Sequence, residues 1–297
     1  MQTHPSADTS AAIQIGSNPF LKWLGGKRRL AKLILSLLPS EGRLIEPFVG
    51  AGSVFLASEH AELVLNDSNP DLMAIYTALQ HEPAALIAEA KALFSGENLS
   101  QASFYNLREE FNNLGPSLRR AALFIYLNRH GFNGLCRYSL AGRYNVPWGK
   151  PTVTPHFPES ELWAAAARLE RATLFCGDFA AAFAQVRSGD AVFCDPPYLS
   201  LEGKASFTKY DGHGFGIQDH ERLVALAREA CARGATVAIC NHDVAEARNL
   251  YAGREIVAIQ VARSISASGT PRTPAAEIIA VYHSGCETVA AAVLPLA

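Results

Sequence analysis

Short runs of apolar and β-branched residues recur along the chain, and helix-like segments separate most of them. The runs are RLIEP (43–47), ELVLN (62–66), ATLFC (172–176), AVFC (191–194), TVAIC (236–240), EIVAIQVA (255–262) and EIIAVYH (277–283). Apolar residues at helical spacing precede the first run, as in KRRLAKLILSLL (27–38), and lie between later runs, as in residues 219–233. This alternation predicts an α/β fold with parallel strands in a sheet covered on both faces. The last two runs are expected to pair antiparallel at the end of that sheet.

The strand pattern stops between Pro70 and about Phe157, where four helix-like segments follow one another. A stretch rich in Gly, Asn and Tyr comes after them, GFNGLCRYSLAGRYNVPWGK (131–150). We therefore predict one α/β domain made of residues 18–69 and 158–297, with a mostly helical insertion over 70–157 that ends in a β-hairpin or loop. Residues 1–17 carry no apolar block and are expected to form a mobile tail.

Composition excludes several classes of protein. The chain has 297 residues, a net charge of -2 and 49% hydrophobic residues, and no apolar run reaches the ~20 residues that a membrane helix needs. The first 18 residues contain no Lys or Arg, so they do not predict a signal peptide. Six scattered Cys without a CxxC pair predict reduced core thiols, and nine His without HxxxH or HExxH spacing predict no metal site.

Charge is unevenly distributed although the total is near zero. No Asp or Glu occurs from Phe111 to Pro158, and this window holds six cations: Arg119, Arg120, Arg129, Arg137, Arg143 and Lys150. Such a window is expected to face a polyanion, although a basic solvated surface is the alternative.

A glycine turn follows the first strand in LIEPFVGAGSVFLA (44–57), which predicts strand, turn and helix. Gly50 and Gly52 permit a tight turn and a close approach of the backbone to a ligand. The third glycine of a dinucleotide fingerprint is replaced by Phe55, so a structural turn and a ligand turn remain equally open. The second strand ends at Asp67, which could contact a ribose over that turn or cap the next helix.

The fourth strand ends abruptly in Asp195-Pro196-Pro197-Tyr198. This set suits methyl transfer to an exocyclic amine, whose lone pair is delocalised into the base. The Asp195 carboxylate and the Pro196 carbonyl can accept hydrogen bonds from the amine, while the two prolines fix the backbone. Tyr198 offers a ring on which a base can stack. A turn that merely ends the strand is the alternative.

These motifs resemble the Dam-type N6-adenine DNA methyltransferases, in the group whose target domain lies between the cofactor motif and DPPY. The resemblance covers about residues 19–283. It rests on PFLKWLGGK (19–27), EPFVGAGSVFL (46–56), NDSNPDL (66–72), FYNLREEFN (104–112), LNRHGFNGLCRY (127–138), YNVPWG (144–149), DPPY (195–198), CNHD (240–243) and RSIS (263–266).

The resemblance implies a Rossmann-like methyltransferase sheet with an antiparallel final strand, S-adenosylmethionine as cofactor, and methylation of adenine N6 within GATC by base flipping. Residues 18–69 and 158–297 would form the catalytic domain, and 70–157 the DNA target-recognition domain. Double-stranded DNA would be the partner. Apart from the resemblance, a monomer is the default expectation, and the reduced thiols predict a cytoplasmic protein. The implied cofactor residues are Trp23, Lys27, Phe48, Gly50, Gly52, Asp67, Asp178 and Asp195. The implied DNA-binding residues are Lys22, Arg108, Arg129, Phe132, Asn133, Leu135, Arg137, Asn145 and Pro147.

Principles of base recognition agree with part of this assignment. Arg137 can form a bidentate contact with guanine, Leu135 can meet a thymine methyl, and Phe132 can fill the space that a flipped base leaves. Arg119 and Arg120 are expected to lie on a solvated helix face and attract phosphates without specificity.

Two residues depart from the family pattern. Phe132 stands where a tyrosine is common, and Ser139 replaces a usual Asn after Arg-Tyr. Other targets also remain open, namely cytosine N4, RNA or a protein amide, as does a DNA-binding regulator with an inactive catalytic domain.

Overall fold

Seven strands form one sheet in the computed structural model, which describes residues 18–199, 215–261 and 275–285. The strands are β1 (Arg43–Glu46), β2 (Glu62–Asp67), β3 (Ala172–Cys176), β4 (Ala191–Cys194), β5 (Thr236–His242), β6 (Glu255–Val261) and β7 (Ala275–Tyr282). Their order is β3-β2-β1-β4-β5-β7-β6, and β7 pairs antiparallel with both β5 and β6. The predicted α/β class and antiparallel end are confirmed.

Nine α-helices connect the strands within the described residues. They are α1 (Ala31–Ser36), α2 (Pro70–His81), α3 (Pro83–Leu93), α4 (Gln101–Asn113), α5 (Leu118–His130), α6 (Glu159–Leu169), α7 (Ala180–Phe183), α8 (Ile217–Ala232) and α9 (Ala245–Leu250). Side-chain caps fix several starts: the Asn69 side chain accepts the backbone N–H groups of Asp71 and Leu72 at the start of α2. Asn69, and not Asp67, therefore caps this helix.

The sheet is buried on both faces, which explains why its central strands are continuous apolar runs. On β1, Leu44 packs into the core shared with α2 and α5, whereas the next residue, Ile45, packs into the core shared with α8. The same alternation on β4 sends Phe193 to the first face and Val192 to the second. The first core continues into the helices of residues 70–157, which thereby pack firmly on the sheet.

Some local predictions were wrong in detail. The glycine turn leads into a single 3₁₀ turn, Phe55–Ala57, and not into an α-helix. The helix predicted over 27–38 begins only at Ala31. Cys176 is exposed, in contrast to the buried Cys136, Cys194, Cys231 and Cys240. The tail 1–17 and the motif RSIS (263–266) lie outside the described residues.

The insertion contains the expected hairpin, in which Tyr138 and Tyr144 form an antiparallel bridge. The Ser139 N–H donates to the Arg143 carbonyl at 2.8 Å, and Leu140 at the tip is 91% exposed. The apolar Leu140 side chain is thus almost fully exposed at the tip of the hairpin.

The acid-free window is not acid-free in space. Arg119 pairs with Glu110 and Glu89, and Arg143 with Glu109, so acids outside the window neutralise these cations.

The prediction that Arg120 lies on a solvated helix face is wrong, because its side chain is only 19% exposed. Its guanidinium pairs with Asp71 at 2.6 Å, stacks 4.0 Å from the Phe111 ring and donates to the Leu114 carbonyl. Burial against α2 and α4 makes Arg120 a structural residue that ties the insertion together.

Candidate active site and nucleic-acid surface

The candidate active site lies where the strand order reverses. The chain runs from β1 outward to β2 and β3, and then returns to β4 on the other side of β1. Ligands of open α/β sheets bind at such a switch point, beyond the carboxyl ends of the strands. Glu46 at the end of β1, Asp67 at the end of β2 and Asp195 after β4 all lie at this edge.

The Asp67 carboxylate holds the glycine turn against the second strand. Its Oδ2 accepts the Gly50 N–H at 3.0 Å and its Oδ1 accepts the Asn69 N–H at 3.0 Å. Asp67 therefore organises the turn, and any contact it makes with a ligand comes in addition to these bonds.

Both glycines have left-handed backbones and close neighbours. At Gly50 (φ 48°) a Cβ would lie 3.0 Å from Nε1 of Trp23. At Gly52 (φ 75°) a Cβ would lie 2.1 Å from the Phe55 ring. The glycines are thus required by the protein's own side chains, and the sequence could not reveal that the close approach at Gly50 is to Trp23.

Asp195 is paired with a buried lysine. The Lys27 ammonium lies 2.9 Å from Oδ1 of Asp195 and donates to the Gly25 carbonyl at 2.6 Å. Lys27 is 6% exposed and Asp195 is 21% exposed. Burial alone would lower the pKa of Lys27, but the charge of Asp195 opposes it and the pKa is raised overall, so the ammonium stays charged.

Tyr198 is fixed in place by contacts on several sides. Its hydroxyl donates to Oε2 of Glu277 on β7 at 3.0 Å, and its ring meets His242 edge-on at 4.8 Å between centroids. The Lys27 ammonium lies 5.0 Å from the ring centroid. His242 itself bonds through Nδ1 to the Leu199 carbonyl, so it links the end of β5 to the residue after Tyr198.

Aromatic rings form one wall beside the strand ends. The ring centroid of Phe48, in the turn after β1, lies 5.2 Å from that of Phe179 and 5.7 Å from that of Phe215. Asp178, just before Phe179, is bound by both terminal nitrogens of Arg222 at 3.0 and 2.7 Å, which holds its pKa below the usual value. The Asp178 carboxylate is thus engaged by α8.

Glu46 is a candidate residue that the sequence reasoning missed. It is 1% exposed, its Oε1 has no hydrogen-bond partner within the described residues, and burial raises its pKa well above the usual value. The available signal was an acid that ends a continuous apolar strand, RLIEP, where a buried charge is costly.

Lys22 is the first of the predicted DNA-binding residues along the chain, and it lies in the same N-terminal segment as Trp23 and Lys27. The Asn128 side chain accepts the Lys22 N–H at 2.9 Å and donates to the Lys22 carbonyl at 2.8 Å. These two hydrogen bonds join the N-terminal segment to α5. The predicted cofactor residues Trp23 and Lys27 are therefore attached to the helix that precedes the predicted DNA-binding loop. Gly134 also touches the N-terminal segment, since a Cβ there would lie 2.2 Å from Cβ of Lys22.

The hairpin is held in register by Arg137 and Asn145. Nε of Arg137 donates to Oδ1 of Asn145 at 2.7 Å, and the Asn145 N–H donates to the Arg137 carbonyl at 3.0 Å. Behind them, Arg108 donates to the Val146 carbonyl at 2.9 Å. Asn145 and Arg108 support the hairpin, whereas Arg137 itself stays exposed.

A row of exposed side chains runs along one loop next to this hairpin. Phe132 is 46% exposed, and its N–H donates to the Pro147 carbonyl at 2.9 Å. Asn133 follows with a left-handed backbone, φ 52°. Asn133 and Pro147 are exposed and Leu135 is half-buried. The structure thus brings the predicted DNA-binding residues of this loop and the hairpin onto neighbouring turns.

Two kinds of feature are absent from the part of the chain that the structure describes. No group of three or more His, Cys, Asp or Glu in that part is arranged to hold a metal ion. None of the helices described is both long and apolar enough to cross a membrane.

Comparison with known proteins gives consistent matches. Residues 23–265 match the family described as D12 class N6 adenine-specific DNA methyltransferase. A protein named DNA adenine methylase from Vibrio cholerae is 42% identical over 264 residues, which cover 89% of this chain and 95% of that protein. Proteins of the same name from Salmonella typhi and Escherichia coli (strain K12) are each 40% identical, covering 91% and 90% of this chain and 97% and 95% of their own lengths.

Proposed function

We propose a specific reaction for this chain, which belongs to the D12 class of N6 adenine-specific DNA methyltransferases. It transfers a methyl group from S-adenosylmethionine to N6 of adenine in double-stranded DNA, within GATC, after flipping the adenine out of the helix. It acts as a monomer in the cytoplasm. Residues 18–69 and 158–297 form the catalytic domain, and 70–157 form the target-recognition domain.

The residues at the strand ends fit such a cofactor. Phe48 and Phe179 offer aromatic surface for an adenine ring, and Asp67 stands at the strand end where an acid can meet ribose hydroxyls. A further polar atom at this edge is the buried Oε1 of Glu46 at the end of β1, for which the described residues offer no hydrogen-bond partner. When bound, the cofactor supplies an electrophilic methyl carbon attached to a positively charged sulfur.

Asp195 and Pro196 act on the target amine. The Asp195 carboxylate and the Pro196 carbonyl accept its two N–H groups, which localises the lone pair on N6 and points it at the methyl carbon. No donor among the described residues bonds to the Pro196 carbonyl, so this oxygen is available for the amine. Methyl transfer would leave N6 with one surplus proton, for which the Asp195 carboxylate is the adjacent base.

Lys27 and Tyr198 position these groups. Lys27 fixes the rotamer of Asp195 through the 2.9 Å ion pair, and Glu277 fixes the hydroxyl end of Tyr198. A base stacked on the Tyr198 ring would then meet an acceptor whose position is already set, which reduces the entropic part of the barrier. Pro197 keeps the backbone between them rigid.

The target sequence is recognised by the exposed loop at Phe132–Leu135 and by the neighbouring hairpin with Arg137. Arg137 is exposed and braced by Asn145, as direct readout of a guanine requires. Lys22 and Leu135 complete the base contacts, and Arg129 contacts the backbone. Phe132, exposed by 46%, enters the stack beside the flipped adenine, with Asn133 next to it.

The ion pair between Lys27 and Asp195 at the sheet's switch point is the observation that carries the proposal. The test is to incubate the protein with methyl-labelled donor and two duplexes that differ only in one GATC site, and to identify the labelled nucleoside. We expect label in N6-methyladenine and only in the GATC duplex. Equal labelling of both duplexes would refute the sequence preference, and label on cytosine, RNA or protein would refute the target. DNA binding without any transfer would indicate an inactive regulator.

A further inference from the structure

A cavity opens beside the segment that links the two predicted sites. Its volume is about 260 Å³, and the residues that line it include Lys22, Trp23, Gly26, Arg28, Ser53 and Arg129. These residues come from the N-terminal segment, the glycine turn and the end of α5. The cavity therefore lies at the junction of the catalytic and insertion parts.

Three cations converge on this cavity. Lys22 donates to the Arg129 carbonyl at 3.4 Å, and the partial burial of Lys22, together with the charge of Arg129, lowers the lysine pKa. Burial also lowers the pKa of Arg129, while the charge of Glu161 acts on that pKa in the opposite direction. Within the described residues, no carboxylate forms an ion pair with Lys22, Arg28 or Arg129. The cavity thus carries a surplus of positive charge, of which Glu161 offsets part at Arg129.

This cavity is separate from the predicted cofactor pocket. Trp23 lines it, but Phe48, Asp67, Asp178 and Asp195 do not. A second site for the same cofactor would need acceptors for its hydroxyl and ammonium groups, and the side chains here are donors. Cationic donors with a serine hydroxyl suit an anion with several oxygen acceptors.

We propose that this cavity binds one backbone phosphate of the DNA, held from the catalytic side by Arg28 and Ser53 and from the insertion side by Arg129. The inference rests on the proposed function, because a duplex is the polyanion that would place a phosphate here. Arg28 is exposed in the turn before α1, so it can reach an incoming phosphodiester, and Arg129 is restrained by its 3.0 Å bond to the His156 carbonyl. A phosphate bound between the two parts fixes the duplex relative to both.

The chain offers a matched control in the neighbouring residue. Arg29 is also exposed and carries the same charge, but it does not line the cavity. Arg28→Ala and Arg29→Ala therefore change the net charge equally. We expect Arg28→Ala to weaken duplex binding about tenfold at moderate salt and to reduce the slope of log K against log salt by about 0.9, with GATC and non-GATC duplexes affected alike. Arg29→Ala is expected to change duplex affinity by less than about twofold and to leave the slope of log K against log salt unaltered.

A neutral backbone linkage locates the contact. Methylphosphonate is introduced at one phosphate at a time across a GATC duplex, and binding is measured for the unaltered protein and for Arg28→Ala. One position should weaken binding by the unaltered protein while leaving binding by Arg28→Ala unchanged, because the partner is already missing.

Each result decides the proposal independently of the methylation assay. Equal effects of Arg28→Ala and Arg29→Ala, or no position at which the linkage effect depends on Arg28, would overturn the phosphate site even if adenine methylation is intact. Weaker binding of S-adenosylmethionine by Arg28→Ala with unchanged duplex binding would assign the cavity to the cofactor instead. Competition by inorganic phosphate alone, without a duplex effect, would show a free-anion site and equally overturn it.

Discussion

The Lys27 ammonium lies 2.9 Å from the carboxylate of Asp195, and the lysine is the more deeply buried partner. Removal of one partner from a buried pair leaves a charge without compensation, which costs about 3 kcal/mol or more, whereas removal of both costs far less. We therefore expect Asp195→Asn to lower the free energy of unfolding by about 3 kcal/mol and the Lys27→Met/Asp195→Asn double variant to regain most of it.

The same variants separate stability from chemistry. Methyl transfer should fall sharply in both, because the Asn amide oxygen can still accept a hydrogen bond from the target amine but lacks the negative charge with which Asp195 takes up the proton. Urea unfolding measures the change in stability, and a labelled-donor assay measures the loss of transfer. Additive losses of stability would show that Lys27 and Asp195 are not energetically coupled.

The second prediction concerns Arg120 and Asp71, which lie 49 positions apart in the sequence and 2.6 Å apart in the structure. The Tyr138 hydroxyl donates to the same carboxylate at 2.7 Å, so the three groups act together. We expect Arg120→Ala and Asp71→Ala each to destabilise the fold by about 3 kcal/mol, and the pair of changes to cost much less than the sum. Arg120→Ala should leave the salt dependence of DNA binding unchanged in the folded protein. A shallower salt dependence would restore Arg120 as a phosphate contact.

The sheet could be predicted from the sequence because burial on both faces makes its strands continuous apolar runs, and parallel pairing then brings Asp67 and Asp195 to one edge. The position of β7 between β5 and β6 could not, since the order of antiparallel neighbours does not follow from hydrophobic pattern.

Contacts between residues that are distant in the sequence could not be predicted either. Nothing in the sequence indicates that Arg120 meets Asp71, or that Gly50 is small because Trp23 lies against it. The acid-free window misled for the same reason, because its cations pair with acids from helices α3 and α4, which precede or begin before it in the sequence. Candidate residues in short motifs could be found, whereas their partners depend on tertiary packing.

The third prediction tests base readout by Arg137. Arg137→Ala should reduce discrimination at one base pair of the target by about 1–3 kcal/mol, because a bidentate contact with a guanine is lost. Arg143→Ala removes the same charge from the same hairpin, but its guanidinium pairs with Glu109, so it should leave discrimination unchanged. Competition binding with a set of single-base variants of GATC measures both. Uniform loss of affinity across all variants would show that Arg137 contacts only the backbone.

The fourth prediction compares two glycines with left-handed backbones. Gly134 has φ 63° and a Cβ there would lie 2.2 Å from Cβ of Lys22, whereas Gly142 has φ 71° and open space around it. Both alanine variants incur the strain of a left-handed backbone, about 1 kcal/mol, but only Gly134→Ala must displace Lys22. We expect Gly134→Ala to be the more destabilising and to weaken DNA binding, with Gly142→Ala as control. Equal effects would show that the segment at Lys22 adjusts freely.

The last prediction concerns the buried Glu46, whose pKa lies well above the ordinary 4.5 because of burial. At pH below 4.5 the group is neutral in both the folded and the unfolded chain. At higher pH the unfolded chain releases the proton while the folded chain keeps it, so the free energy of unfolding falls as pH rises, until the folded group ionises as well. Glu46→Gln keeps the shape and removes this loss. Its stability relative to the unaltered protein should therefore increase as the pH rises above 4.5 in urea titrations. A difference independent of pH would mean that Glu46 is ionised in the fold, held by a cation that the described residues do not include.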